Sequence, residues 1–167
     1  MPTDDAEIVG KVITQVHASD QDWARLMVDV QEMSKAQLQL VVEKGSTAGV
    51  EIEGSPIVVV TTRGAKSGEA RVYPLMRVEH GGTYALVGSL GGAPKNPTWY
   101  HNIKAHPTVR LQDGGVTRWY VARELAGAER EPWWDRAVQA YPSYAHYQSR
   151  CERVFPIFEL TPVQDDR

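Results

Sequence analysis

Apolar residues change their rhythm along this chain, and each change predicts a different element. Ile8, Val9, Val12, Ile13 and Val16 recur at helical spacing, with Asp4 three residues before Glu7 as a cap. Ser19-x-x-Asp22 opens a second helix carrying Trp23, Leu26, Met27, Val30 and Met33 on one face. "EKGSTAGVEIEGSP", 43–56, reads as a loop rich in small residues. The period then shortens. "PIVVVTT" (56–62) predicts a strand that ends in the turn "RGAKSG". "ARVYPLMRV" (70–78) alternates, Gly81-Gly82 marks a hairpin, and "TYALVGS" (83–89) is the return strand. A short helix is predicted near 97–105, stopped before His106-Pro107. "TVRLQD" (108–113), Gly114-Gly115 and "VTRWYVARE" (116–124) predict a second hairpin. A helix through Trp133, Trp134, Ala137 and Val138 follows, then a Tyr-rich helical turn over 143–151 and a closing strand, "RVFPIFEL", over 153–160.

Six strands, mostly hairpin-linked, with helices segregated around them, define an α+β protein built on a small antiparallel barrel. The expected division is an N-terminal helical extension (1–53) packing on the domain, a barrel domain (54–162) and a tail (163–167). At 167 residues the chain is one domain with room for a real core. The lone Cys151 rules out an internal disulfide and suits a reducing compartment. The acidic start "MPTDDAEIVG" lacks the order of a signal peptide, and no run approaches the ~20 apolar residues of a membrane span. A cytoplasmic protein is expected, with a peripheral position at the inner face of the membrane as the second option.

Charge sharpens the picture. The net charge of −3 conceals −6 over residues 1–53, +5 over 54–112 and −2 over 113–167. From His80 to Gln112 there is no Asp or Glu at all. A positive block inside an acidic chain points to an anionic small ligand. Nucleic acid is not expected, because its binders are basic as whole domains.

Several chemistries fail on spacing. "RGAKSG" is not a P-loop, since Ala65 precedes the lysine and Val60 stands where the first glycine belongs. No G-x-G-x-x-G follows a strand. His101 and His106 lack the acid and spacing of a zinc protease, and no metal is expected. In "TTRGAKSGEAR" (61–71), Gly64 and Gly68 free the backbone while Lys66, Ser67 and Arg71 add donors, a combination suited to phosphate. In "GSLGGAPKNPTWYHN", Gly91 and Gly92 permit close approach of a ligand. Pro97 suits the first helical position with Asn96 as cap, and Lys95 adds charge to the helix start. Trp99 offers a face to a flat ring, with core packing as the competing use.

Taken together, "TTRGAKSGEARVYPL", "GSLGGAPKNPTWYHNIKAHPTV" and "AYPSYAHYQ" resemble the deazaflavin-dependent nitroreductase family, whose members use reduced coenzyme F420. The resemblance covers about residues 54–162. It implies a split antiparallel β-barrel of the FMN-binding type, an actinobacterial type of host, and hydride chemistry on a deazaflavin that carries a phosphate and a polyglutamate tail. It puts the phosphate near Lys66, Ser67, Gly68 and Arg71, and the ring near Pro74, Leu75, Met76, Ser89, Gly91, Gly92, Trp99 and Asn102, with Lys95 and Asn96 toward the tail. Met76 replaces a tyrosine frequent in the family, and Leu90 a lysine. Tyr144 and Ser89 are the implied catalytic residues. Tyr141, Tyr144 and Tyr147, with Trp23 and Met27 from the extension, are the expected substrate contacts. The expected activity is F420H2-dependent reduction of an electron-poor enone or unsaturated lactone, quinone or nitroaromatic. A split barrel using FMN, or a non-enzymatic F420 carrier, are the alternatives. A monomer or weak dimer is expected, with N-terminal helices packing on the domain in preference to anionic lipid.

Overall fold

The computed structural model describes residues 20–164, so the helix expected over Ile8–Val16 lies outside the described residues. The first element is α1 (Asp20–Lys44), longer than its apolar stripe suggests. The side chains of Trp23 and Leu26 also lie outside the described residues. The small-residue segment after it is not wholly a loop. It holds β1 (Glu51–Ile52), which pairs with β2 (Ser55–Arg63) through Ile52 opposite Ser55. The sheet therefore begins before residue 54.

The remaining strands are β3 (Ala70–Met76), β4 (Glu79–His80), β5 (Thr83–Val87), β6 (Thr108–Asp113), β7 (Val116–Glu124) and β8 (Ile157–Pro162). Their order is β1-β2-β6-β7-β8-β5-β4, with β3 on the other edge of β2, and every pairing is antiparallel. The Gly81-Gly82 hairpin exists, but it joins β4 to β5, while 70–76 pairs with β2 instead. The chain changes partner at Arg77–Val78: Arg77 N–H donates to Pro56 O, and Val78 O accepts from Ala85 N–H. One continuous stretch, 70–80, thus bridges the two ends of the sheet. A hairpin reading from local pattern alone misses this, because the switch depends on which strands await on either side.

Inside the barrel lie Val58, Val60, Leu86, Val109, Leu111, Tyr120, Phe158 and Leu160. Helix α2 (Thr98–Ala105) plugs one end with Trp99 and Ile103, Trp99 meeting Phe158 edge-on at 6.1 Å. Strand β2 reads as an unbroken apolar run because it is buried on both faces. Val58 and Val60 point into the barrel, whereas Ile57 and Val59 are covered by Val41 of α1. Helices α3 (Arg130–Ala140) and α4 (Ser143–Ser149) pack against a second cluster built on Met76, Val87, Trp133, Ala137 and Phe155.

The closing strand is shorter than its apolar run, starting at Ile157 and not Arg153. Phe155 and Pro156 are buried, but side chains and the 88 turn take their polar groups. Phe155 N–H donates to Gln148 Oε1, Phe155 O accepts from Arg130 Nη2, and Pro156 O accepts from Gly88 N–H. The antiparallel sheet with flanking helices is a split β-barrel, as the sequence led us to expect.

Candidate active site

A cleft of about 160 Å³ opens where the barrel meets α1, α3 and α4. Pro74, Leu75 and Met76 of β3 form one wall, and Ser89, Leu90 and Gly91 of the following turn form the next. Pro97 and Trp99 close its floor, Tyr141, Tyr144 and Tyr147 face them, and Ile52, Met27, Val30 and Met33 complete the lining. Apart from Ser89 and the phenols, every side chain here is apolar.

The turn after β5 explains how backbone reaches this cleft. Leu90, Gly91 and Gly92 have φ of 46°, 62° and 85° in succession. Glycine adopts that region freely, but leucine is strained there, and Leu90 is one of two non-glycine residues with positive φ among the described residues. The turn is held by Arg153, which the sequence did not single out. Its Nε donates to Ala93 O (2.9 Å), its Nη1 to Gly88 O and Asn96 Oδ1 (both 2.8 Å), and its Nη2 to Ser89 O (2.8 Å). Burial lowers the pKa of this guanidinium, which forms no ion pair among the described residues. Asn96 is therefore not the cap of α2. Pro97 occupies the cap position with extended backbone, the helix begins at Thr98, and the Asn96 side chain serves Arg153.

The "RGAKSG" segment forms a tight turn beside α2. Gly64 N–H donates to Glu69 O (2.7 Å) and Gly68 N–H to Gly64 O (3.0 Å). A Cβ on Gly64 would stand 2.5 Å from Ser67 Oγ and 3.3 Å from Glu69 O, so any larger residue would displace the Ser67 side chain. Asn102 is buried behind this turn. Its Oδ1 accepts from Ala65 N–H (3.0 Å), and its Nδ2 donates to Thr62 Oγ1 and Tyr73 Oη (both 3.2 Å). Asn102 thus shapes the turn and does not line the cleft. Nor do Gly92, Lys95 or Asn96. Lys66, Ser67 and Gly68 are exposed, and Arg71 pairs with Glu69 at 3.2 Å. Arg71 lies four residues from Leu75 along β3, about 13 Å at ~3.3 Å per residue. One strand therefore presents an apolar cleft at one end and a cationic turn at the other, with Tyr73 between them.

The tyrosines recur every three residues across the end of α3 and into α4, which turns all three to the cleft. Tyr144 is wedged between Tyr141 (5.0 Å, edge-on) and Trp134 (6.5 Å). Tyr141 Oη donates to Glu53 Oε2 (2.7 Å) and stands 3.2 Å from Tyr147 Oη. The Tyr144 hydroxyl has no hydrogen-bond partner among the described residues. Burial raises all three phenols, Tyr147 being pushed up to about 12, with Tyr141 raised further by its bonds to Tyr147 and Glu53. They remain protonated at neutral pH.

The arrangement defines a class: a split barrel with an apolar cleft beside an exposed turn that carries Lys66 and Arg71. The chain belongs to the F420H2-dependent quinone reductase family, whose model matches residues 17–162. It is 32% identical over 117 residues to an F420H2-dependent quinone reductase of Mycobacterium tuberculosis, covering 68% of this chain and 78% of the relative. Among solved structures it is similar to an F420H2-dependent reductase of the FDR-A type, at 56% identity and TM-score 0.61, covering 64% of this chain and 94% of that one. A second, described as a domain-swapped dimer, is 49% identical with TM-score 0.64 and covers 86% of this chain and all of that one. The resemblance read from the three motifs holds, and F420 is the cofactor. The residues present fit it, since the exposed cations Lys66 and Arg71 at the Gly64–Arg71 turn suit a polyanion, and an apolar cleft walled on one side by left-handed backbone suits a flat ring. Among the described residues no helix is long and apolar enough to cross a membrane.

Proposed function

We propose that the protein reduces a quinone, the hydride donor being reduced F420 held along β3. Lys66, Ser67 and Arg71 hold the phosphate, Arg71 exchanging its contact with Glu69 for the ligand. Pro74, Leu75 and Met76 support the ring from one side, and the Ser89–Gly91 backbone and Trp99 support it from the other. Reduced F420, when bound, supplies a hydride, and the protein supplies position, exclusion of water and a hydrogen bond to the oxygen where charge develops. Tyr144 gives that hydrogen bond. Met27, Val30, Met33 and Ile52 make the acceptor side lipophilic, which favours an uncharged aromatic quinone over a charged acceptor.

The observation that carries this reading is the Tyr144 hydroxyl: open to the apolar cleft and without a hydrogen-bond partner among the described residues. A hydroxyl open to the cleft and unclaimed by the protein is free to donate to a ligand oxygen. The test is an acceptor panel with F420H2, containing menadione, a cyclic enone and a nitroaromatic, followed by recovery of the oxidised cofactor's absorbance. Menadione should be reduced fastest. Tyr144→Phe should lower its kcat/KM by about 10²-fold, the scale of one lost oxyanion-directed donor, with F420 affinity retained. A protein that reduces the enone or nitroaromatic while leaving menadione untouched contradicts the assignment.

A further inference from the structure

Glu53 stands in the two-residue turn between β1 and β2, where φ is positive at both turn positions, 50° at Glu53 and 76° at Gly54. That turn suits Asn, Asp or Gly at its first position, and a glutamate there is strained. Its side chain makes one hydrogen bond among the described residues, Oε2 accepting from Tyr141 Oη at 2.7 Å. Tyr141 Oη is in turn 3.2 Å from Tyr147 Oη, and the two residues are 5% and 3% exposed. Backbone strain that coincides with a carboxylate on a buried phenol pair at the cleft calls for a reason.

Counting hydrogens supplies one. Each phenol has a single hydrogen, and a carboxylate only accepts. The Tyr141 hydrogen therefore goes to Glu53, which leaves the Tyr141–Tyr147 bond to be made with the Tyr147 hydrogen. Both hydrogens are then engaged within the Glu53–Tyr141–Tyr147 chain, and Tyr147 can offer a cleft ligand nothing but lone pairs. Tyr144, bonded to neither, keeps its hydrogen for the ligand.

Resting on the quinone reading above, we propose that Glu53 is a positioning residue that sets the polarity of the tyrosine cluster. It makes Tyr144 the one phenol donor facing the acceptor and Tyr147 an acceptor-only oxygen. The cleft thereby activates one carbonyl oxygen and disfavours a second oxygen lodged against Tyr147. Glu53 acts through Tyr141 and Tyr147 and need not touch the quinone.

The polarity assignment predicts a suppressor. In Tyr144→Phe the only phenol donor is gone. Adding Glu53→Ala frees the Tyr141 hydrogen, lets the pair reverse, and allows Tyr147 to present a hydrogen to the cleft. Menadione turnover by Glu53→Ala/Tyr144→Phe should therefore exceed that of Tyr144→Phe alone by about tenfold, part of what one oxyanion-directed donor supplies. Tyr141→Phe/Tyr144→Phe, which removes the link itself, should recover similarly. Were Glu53 merely structural, both double variants would be as slow as Tyr144→Phe or slower, and that result overturns the proposal. A second readout needs no turnover: the carbonyl stretch of menadione bound beside oxidised F420. It should be lowered in the wild type, released in Tyr144→Phe, and lowered again in both double variants. A wild type that shows the lowered stretch without turnover sinks the quinone-reductase reading alone. Wild-type turnover with no recovery in either double variant sinks the polarity assignment alone, and failure to bind menadione sinks both.

Discussion

Arg153 shows how much of this site depends on single side chains far from the ligand. Four acceptors surround its guanidinium, and three are main-chain carbonyls of the 88–93 turn. Arg153→Met removes all four of these bonds and leaves Gly88 O and Asn96 Oδ1 without that donor, at about 1.5–3 kcal/mol for each charge-assisted bond lost. Even one such bond corresponds to about tenfold or more in an equilibrium constant. Arg153→Met should therefore weaken F420 binding by at least tenfold, and amide exchange should accelerate across residues 88–96 before it does in β6 or β7. Normal F420 affinity in this variant would remove Arg153 from the account. Some residues were legible at this scale. Gly91, Gly92, Gly64 and the tyrosine triplet announce themselves, because glycine pairs and i,i+3 aromatics have local meanings. Arg153 and Glu53 did not. Arg153 grips Ala93 from 60 residues away, Glu53 meets Tyr141 across 88, and nothing local to "CERVF" or "EIEGS" encodes those meetings. Asn96 misled for the same reason, its capping chemistry being diverted to a distant arginine.

At the scale of elements, strands that alternate by themselves were legible almost to the residue. The 108–113 and 116–124 hairpin is the clearest case, since the buried Val109 pairs with the buried Tyr120 and the register closes at a glycine turn. Elements whose limits are set by tertiary partners were not. The 70–80 stretch divides into β3 and β4 only because β2 and β5 lie on opposite sides of it. Helix α1 belongs with these. Local pattern cannot assign its apolar stripe to a partner, whereas the fold covers Ile57 and Val59 with Val41 and sets Met27, Val30 and Met33 at the cleft. If α1 forms the acceptor side and not the cofactor side, Met27→Ser/Met33→Ser should raise the KM for menadione several-fold, polar hydroxyls being disfavoured against an apolar ligand by about 1–3 kcal/mol in a buried setting. The F420 dissociation constant should stay unchanged. A loss of F420 affinity equal to the loss of acceptor affinity would place α1 over the cofactor.

For the whole molecule, the central proposal is a division of labour along β3. An acidic chain of net charge −3 concentrates its cations on 54–112, and the structure sets Lys66 and Arg71 at the exposed end of the strand whose other end walls the apolar cleft. The charge window was readable without a fold, but the barrel was needed to show that turn and cleft are two ends of one strand. Electrostatic holding at an exposed turn is screened by salt, over a Debye length of about 10 Å at 0.1 M and about 3 Å at 1 M. Apolar contact in the cleft is not. The most direct measurement is a titration with F420 and with FMN at those two salt concentrations, repeated for Lys66→Ala/Arg71→Ala. The account predicts tight F420 binding that weakens strongly with salt, a double variant with weak and nearly salt-independent binding but an unchanged melting temperature, and poor FMN binding throughout. Salt-independent F420 binding unaffected by the two substitutions, or FMN binding as tight as F420, would contradict it.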